Sequence, residues 1–222
     1  MVLHLLRVSI FILCISGILD AEWQSYRCVI TTEVRASGLI VNSVSDMVCQ
    51  RKNGSIWQRI HAVKPEDKEY VAVIRETERE TYFPLTETLV KAAPAENDNS
   101  GFLTQVQSLL SRQEIEPNKP LSIDLKNIPE AAGLPCRFVT FIRSENGGKR
   151  EDRFSFADST RIPVGTLVVS YTEISSLDQK FLMPTKLTYS TMDKSLNIVS
   201  TYSAYRINEP VPEETFYLGH DK

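Results

Sequence analysis

The hydrophobic positions of this chain alternate with polar ones far more often than they recur at helical spacing. Residues 26–34 are rich in β-branched side chains, Ser37 and Gly38 punctuate them, and residues 39–48 follow as a second extended run. Residues 55–60 and 70–75 predict a second hairpin, turning at Pro65, Glu66 and Asp67. A third hairpin joins residues 136–142 to residues 152–156 across Asn146, Gly147 and Gly148, residue types that supply the positive φ angles of a tight turn. Three further extended runs, 165–171, 180–191 and 197–207, are separated by short polar connections and predict a meander of antiparallel strands. About nine or ten strands result, enough for a strongly curved sheet.

Helical periodicity is confined to the middle of the chain. Asn99 or Ser100 can cap a short helix with Phe102, Leu103, Val106, Leu109 and Leu110 on one face. Residues 86–93, between Pro84 and Pro94, predict a second helix, and residues 129–133 a single turn stopped by Gly133. Residues 91–101 carry Ala, Pro, Glu, Asn and Asp and fit an exposed loop. No internal repeat or long linker divides the chain. The fold class is therefore mainly β (α+β): a curved antiparallel sheet with a few short helices.

The first residues change the picture. Residues 2–19 are almost wholly apolar, and the core of that run has the length of a signal-peptide core and is short for a bilayer span. Small residues at Ser16, Gly17 and Ala21 allow cleavage after Gly17 or Ala21, with an uncleaved anchor as the alternative. Leu13 precedes Cys14 where a lipoprotein signal needs a small residue, so that reading is rejected. The organisation expected is a signal peptide over 1–21, one domain over 22–222, and a periplasmic or secreted location. No later segment is long and apolar enough to span a membrane. Formal net charge is −3 with lysines and arginines scattered, which argues against nucleic acid as a partner and against an anionic membrane surface bound by charge alone.

Export makes the cysteines informative. Beyond the leader stand Cys28, Cys49 and Cys136, enough for one pair and one thiol. Folding the first hairpin back at Ser37 and Gly38 brings Cys28 and Cys49 nearly opposite, and a disulfide there would close a loop of roughly 20 residues, worth about 3 kcal/mol in the entropic account. Three reduced thiols, or a bridge to Cys136, are the alternatives.

Catalytic chemistry is sparse. Of His4, His61 and His220 only His61 lies within the fold, so a site needing several imidazoles has nothing to build on. No Cys-x-x-Cys, phosphate-binding glycine loop or Gly-x-Ser-x-Gly is present. Cys136 and His61 have nothing in sequence to unite them. Glu76, Glu78 and Glu80 share one side of an extended chain and could in principle form a carboxylate pair. Such alternation fits better as the solvated face of an edge strand. Asn53, Gly54 and Ser55 form a glycosylation acceptor triplet that often occurs by chance. Trp57, Tyr171, Phe181, Tyr189, Tyr202 and Tyr205 lie on expected strands, either as core or as an aromatic binding face. No catalytic residue, metal ligand or cofactor is assigned.

The C-terminal third carries a resemblance. Arg161-Ile-Pro-Val164, Val168-Val-Ser-Tyr-Thr-Glu-Ile174, Phe181-Leu-Met-Pro-Thr-Lys-Leu187, Ile198-Val-Ser-Thr-Tyr-Ser-Ala-Tyr-Arg-Ile-Asn208 and Pro210-Val-Pro-Glu-Glu-Thr-Phe216 follow one another. That order resembles the closing strands of the LolA-like superfamily, the bacterial outer-membrane lipoprotein carriers and sorting proteins. The chain departs from those carriers in opening its mature part with a strand instead of a helix, and in its cysteines. The resemblance implies an incomplete antiparallel half-barrel, with helices as a lid over an apolar cavity. It further implies lipid or lipoprotein acyl chains as ligand and non-catalytic carriage in the envelope. Phe102, Leu103, Val106 and Leu110 are the lid candidates and Trp57 a cavity candidate. A filled core, with the chain serving as an interaction module that meets another envelope protein, is the competing expectation.

Overall fold

The computed structural model describes residues 23–75, 78–92, 106, 110, 112–125, 136–176 and 178–218. They form one antiparallel sheet of 12 strands. In chain order these are β1 (Ser25–Ala36), β2 (Leu39–Lys52), β3 (Ser55–Lys64), β4 (Tyr70–Ile74), β5 (Arg79–Phe83), β6 (Thr88–Ala92), β7 (Leu121–Asp124), β8 (Phe138–Asn146), β9 (Lys149–Ala157), β10 (Pro163–Ser176), β11 (Gln179–Thr191) and β12 (Leu196–Ile207). Across the sheet the order is β6-β5-β4-β3-β2-β1-β12-β11-β10-β9-β8-β7. Two hairpin ladders thus meet where the last strand pairs with the first, and β6 and β7 remain as edges, so the sheet is not a closed barrel. The Asn146 hairpin is as expected: Gly147 and Gly148 have φ of +56° and +74°, the sign a mirror-image turn requires.

Period-two burial shows why these segments are strands. In β1, Tyr26, Cys28, Ile30, Thr32 and Val34 are buried on one face while residues between them are partly or wholly exposed. Leu167, Val169 and Tyr171 of β10 do the same, as do Phe154 and Phe156 of β9. These positions build one continuous inner core from Tyr70 and Ala72 of β4 to Val139 and Phe141 of β8. A smaller outer core holds Val48, Val71, Val73, Phe216 and Leu218.

Two strands were not anticipated, β6 and β7, and the acidic stretch expected as an edge strand runs into β5, which lies one strand in from the edge. Residues 86–93 do not form the expected helix. Pro84–Thr86 makes a 3-10 turn, Glu87 takes φ +49°, and β6 then pairs with β5 from Phe83↔Thr88 to Arg79↔Ala92. An available sheet edge outweighs the weak helical preference of a segment containing Thr88 and Val90. Among the described residues the helical elements are short 3-10 turns, with Val106 and Leu110 as single helical positions. The expected single turn at 129–133 lies outside the described residues.

Pairing within the second ladder is uneven. β11 and β12 pair only from Lys186↔Thr201 to Ser190↔Asn197, five residue pairs. Pro184, which lacks an N–H, sits at the β10·β11 irregularity beside Thr185. Tyr205 reaches across the gap to donate its hydroxyl hydrogen to the Pro184 carbonyl.

Candidate functional site

The inner face is the largest apolar surface the fold creates. Alternation aims Ile30, Met47, Ile60, Phe154, Leu167 and Met183 at it, and all are nearly or fully buried. Since one face of a sheet cannot bury itself, something outside the sheet covers it. Val106 and Leu110 belong to that cover: they are 0% and 5% exposed and lie in the same core. Phe102 and Leu103, the other two lid candidates, lie outside the described residues.

The inner face changes character at one end. Beyond the Phe141–Phe154 ring pair (centroids 5.0 Å apart), the next inward positions are Arg143, Asp152, Arg150 and Tyr171. Asp152 accepts from Arg143 Nε at 2.9 Å and Nη2 at 3.2 Å, and from Arg150 Nη2 at 2.5 Å. Arg150 and Asp152 are both buried, and the Arg150 guanidinium lies 4.9 Å from the Tyr171 ring centroid. Burial, reinforced by the Asp152 charge, pushes the Tyr171 phenol far above its usual range despite the two guanidiniums. Its hydroxyl is buried without a hydrogen-bond partner among the described residues, as is Trp23 Nε1 further along. A pocket of about 370 Å³ adjoins this polar end, lined by Glu145, Arg150, Glu173, Leu182 and the Asn146 turn. The arrangement offers an apolar floor ending in buried cations and an unused phenolic donor.

The expected Cys28–Cys49 disulfide is not formed; both cysteines are buried as thiols. The register gives the reason. Cys28 is opposite Met47, and Cys49 is opposite Tyr26. The two thiols are therefore diagonal neighbours, whose Cα atoms lie about 7–8 Å apart in such ladders and outside ordinary disulfide reach. Burial, then the neighbouring Cys49, raises the Cys28 thiol, so it stays protonated and inert.

Trp57 is not on the inner face. It stands on the outer one, edge-on to Phe216 (5.8 Å, 79°) and Tyr217 (6.3 Å, 82°), with Lys52 Nζ 4.4 Å from its ring centroid. Along β3 the inward positions are Gln58, Ile60 and Ala62, and odd-numbered Trp57 has the opposite parity. Its role is to seat the C-terminal strap, residues 209–218, whose Phe216 and Leu218 fill the outer core.

The acidic stretch also finds a structural role. Glu80 is buried instead of solvated, contacted by Lys91 Nζ at 2.8 Å and Arg75 Nη2 at 3.2 Å. Burial opposes its charge, but the Lys91 hydrogen bond, both cations and the Leu218 amide outweigh that and hold its carboxyl below the usual range. Strand β5 lies inside β6, so its outer face is covered by the strap. Glu78 pairs with Arg75 at 2.8 Å and is exposed. Glu76 lies outside the described residues, and neither Glu78 nor Glu80 lines the pocket at the Asn146 turn. His61 Nε2 contacts Glu69 Oε1 at 2.7 Å. Cys136, raised to about 11 by burial, donates its thiol to the Phe138 carbonyl (3.7 Å). Among the described residues no group of three His, Cys, Asp or Glu could hold a metal, and no helix is long and apolar enough to cross a membrane.

An open antiparallel sheet with one apolar, covered face and a C-terminal strap on the other defines the class: a LolA-like fold. No protein-family profile and no curated protein sequence matches the chain. Solved structures do. A putative outer membrane lipoprotein-sorting protein domain from Vibrio parahaemolyticus superposes with a TM-score of 0.55 at 12% identity, covering 93% of this chain and 94% of its own. A DUF1329 family protein from Desulfovibrio piger gives 0.54 at 12% identity, covering 94% and 95%. A LolA superfamily protein from Nitrosomonas europaea gives 0.50 at 8% identity, covering 94% and 96%. The resemblance first visible in the C-terminal third therefore extends over nearly the whole chain. At such identities it is a likeness of fold.

Proposed function

We propose that this chain is an exported, non-catalytic binder or carrier of a lipid or lipidated protein in the bacterial envelope. In this reading residues 1–21 are a signal peptide, residues 22–222 a single periplasmic domain, and the segment with Phe102, Leu103, Val106 and Leu110 a lid that yields to an acyl chain. The observation that carries it is the inner face, apolar across most of a 12-stranded open sheet. Exposing an acyl chain to water costs about 0.8 kcal/mol per CH₂, so a chain of 14 carbons costs roughly 11 kcal/mol, and a soluble carrier must offer comparable apolar cover. Val106 and Leu110 occupy part of that cover and would be exchanged for it. Tyr171 Oη and the Arg150–Asp152–Arg143 group stand where the polar end of such a ligand would come to rest. The lipoprotein-sorting neighbour supports the reading by fold alone. Native mass spectrometry of protein from its own host, with titration of a fluorescent fatty acid, tests it. Bound lipid and saturable partition are expected; absence of both sinks the proposal.

A second reading has its own support. The inner face is buried, with Val106 and Leu110 packed like ordinary core residues. That favours a filled domain acting as a protein-interaction module of the envelope. Recovery of a protein partner by cross-linking, with no extractable lipid, would select it.

A further inference from the structure

Three sulfur side chains share one part of the inner face. Cys28 of β1 stands opposite Met47 of β2, and Cys49 follows Met47 by two residues on the same face. All three are buried in the inner core. Directly opposed side chains in such a ladder have Cβ atoms about 4.5–5.5 Å apart, and an unbranched methionine can bring its thioether to either neighbour. Carriage of an acyl chain gives the two thiols no task.

Each thiol has a tyrosine hydroxyl beside it. Tyr205 Oη is hydrogen-bonded with the Cys28 thiol, and Tyr26 Oη with the Cys49 thiol. A hydroxyl can turn its hydrogen toward a thiolate that forms next to it. The thiols are also near enough to act on each other electrostatically. Harder donors stay away. Among the described residues no group of three His, Cys, Asp or Glu is assembled, and Asp46 and His61, paired across β2 and β3, have the outward parity. The spacing that excludes a disulfide suits an interposed atom. Thiolate–metal bonds of about 2.3 Å hold two sulfurs up to about 4.6 Å apart, against about 2 Å in a disulfide, which carries the reach past a diagonal of about 7–8 Å.

We propose that Cys28, Cys49 and Met47 form a site for one soft monovalent metal ion, Cu(I), held by two thiolates and a thioether. Thiolate and thioether are the donors Cu(I) selects, whereas Zn(II) takes four ligands from thiolate, imidazole and carboxylate and finds only two here among the described residues. On binding, one bond forms from the ion to each sulfur, the two thiol protons leave to solvent, and copper stays Cu(I), so no electron is exchanged. Tyr26 and Tyr205 orient the thiolates and offset the single negative charge left on the complex. Burial keeps the thiols protonated toward an alkylating reagent, but the metal competes with those protons for the sulfur itself. Its way in is the loose end of the β11·β12 pairing, where the strands part beyond Lys186↔Thr201, beside Tyr205. The site stands whether or not the inner face takes a lipid.

The test uses the full chain carrying Cys14→Ser and Cys136→Ser, which removes the other two cysteines. Cu(I) is titrated without oxygen against the chromogenic chelator bicinchoninate. Withdrawal of one Cu(I) per chain is expected. Cys28→Ser or Cys49→Ser should weaken binding by at least about a hundredfold, and Tyr26→Phe by about tenfold, as loss of a ligand's supporting hydrogen bond does. Met47→Leu conserves core volume, so the fold survives it, and should weaken binding by about tenfold. No withdrawal of copper from the chelator overturns the proposal. So does binding that persists with both Cys28 and Cys49 replaced, affinity unchanged in Met47→Leu, or Zn(II) held as tightly as Cu(I).

Discussion

Tyr171→Phe should stabilise the protein, although it deletes a polar atom from a buried cluster. The ring is 1% exposed, lies against the Arg150 guanidinium, and its hydroxyl is buried without a hydrogen-bond partner among the described residues. A buried unsatisfied polar group costs roughly 1–3 kcal/mol, and phenylalanine keeps the ring, so ring packing and the cation–π contact persist. Taking the low end, to allow for a small void where the oxygen was, gives a gain of about 1 kcal/mol. For a domain of this size that is a rise in Tm of about 2–4 °C. Urea denaturation of ligand-free protein measures it, with the midpoint rising at unchanged slope. If instead Tyr171→Phe lost 1 kcal/mol or more, the hydroxyl would have a partner and the polar end of the inner face would be misread. The same variant bears on function. Should a fatty acid's polar end meet this hydroxyl, its affinity falls about fivefold while stability rises, an opposition that a purely structural residue would not produce.

Phe216→Ala removes the centre of the outer core and should cost about 3 kcal/mol, the low end for a buried phenylalanine because the strap can lift instead of leaving a cavity. Hydrogen exchange at Val71 and Val73 should speed up with it; unchanged exchange there would mean the strap does not clamp the sheet. Lowering the pH should loosen the same strap. Glu80 has a folded pKa below its unfolded value of about 4.3, so its contribution is present above that value and is lost as pH falls through the folded one. Glu80→Gln should flatten that acid limb, and an unaltered limb would assign it to other groups. Alkylation of native protein should spare Cys28 and Cys49, which react only after unfolding; a mass two hydrogens short under non-reducing conditions would show that they pair after all.

The antiparallel plan was legible because alternation is local. Asn146, Gly147 and Gly148, or the burial rhythm of residues 26–34, carry their own evidence. What escaped depends on distant partners. β6 is a strand because β5 lies beside it, and β5 reads as a solvated acidic stretch because Leu218, far along the chain, covers Glu80. Trp57 illustrates the same limit: parity says that it opposes Ile60 and Ala62 across the sheet, but a hydrophobic count cannot say that the outer face is also covered. The thiol pair failed by two residues of register, since a hairpin folded in the mind at Ser37 and Gly38 does not reveal that Cys28 meets Met47. Sequence could have found the strap, because Phe216 and Leu218 follow two prolines and would have no reason to be apolar in a free tail.

The β11·β12 junction has a mechanical consequence. β1 and β12, where the two ladders meet, share ten residue pairs and β10 and β11 share twelve, yet β11 and β12 between them share only five. The stitches lie toward the Ser190↔Asn197 end, where a side-chain hydrogen bond of 2.7 Å adds to them. Like a zip left half open, such a seam concentrates any change in curvature at its loose end, beside Pro184 and Tyr205. The strands on either side can then splay there while β1·β12 and β10·β11 stay fully paired. Amides of residues 181–183 and 185 exchanging as slowly as those of β1 would show that the seam is as stiff as the rest.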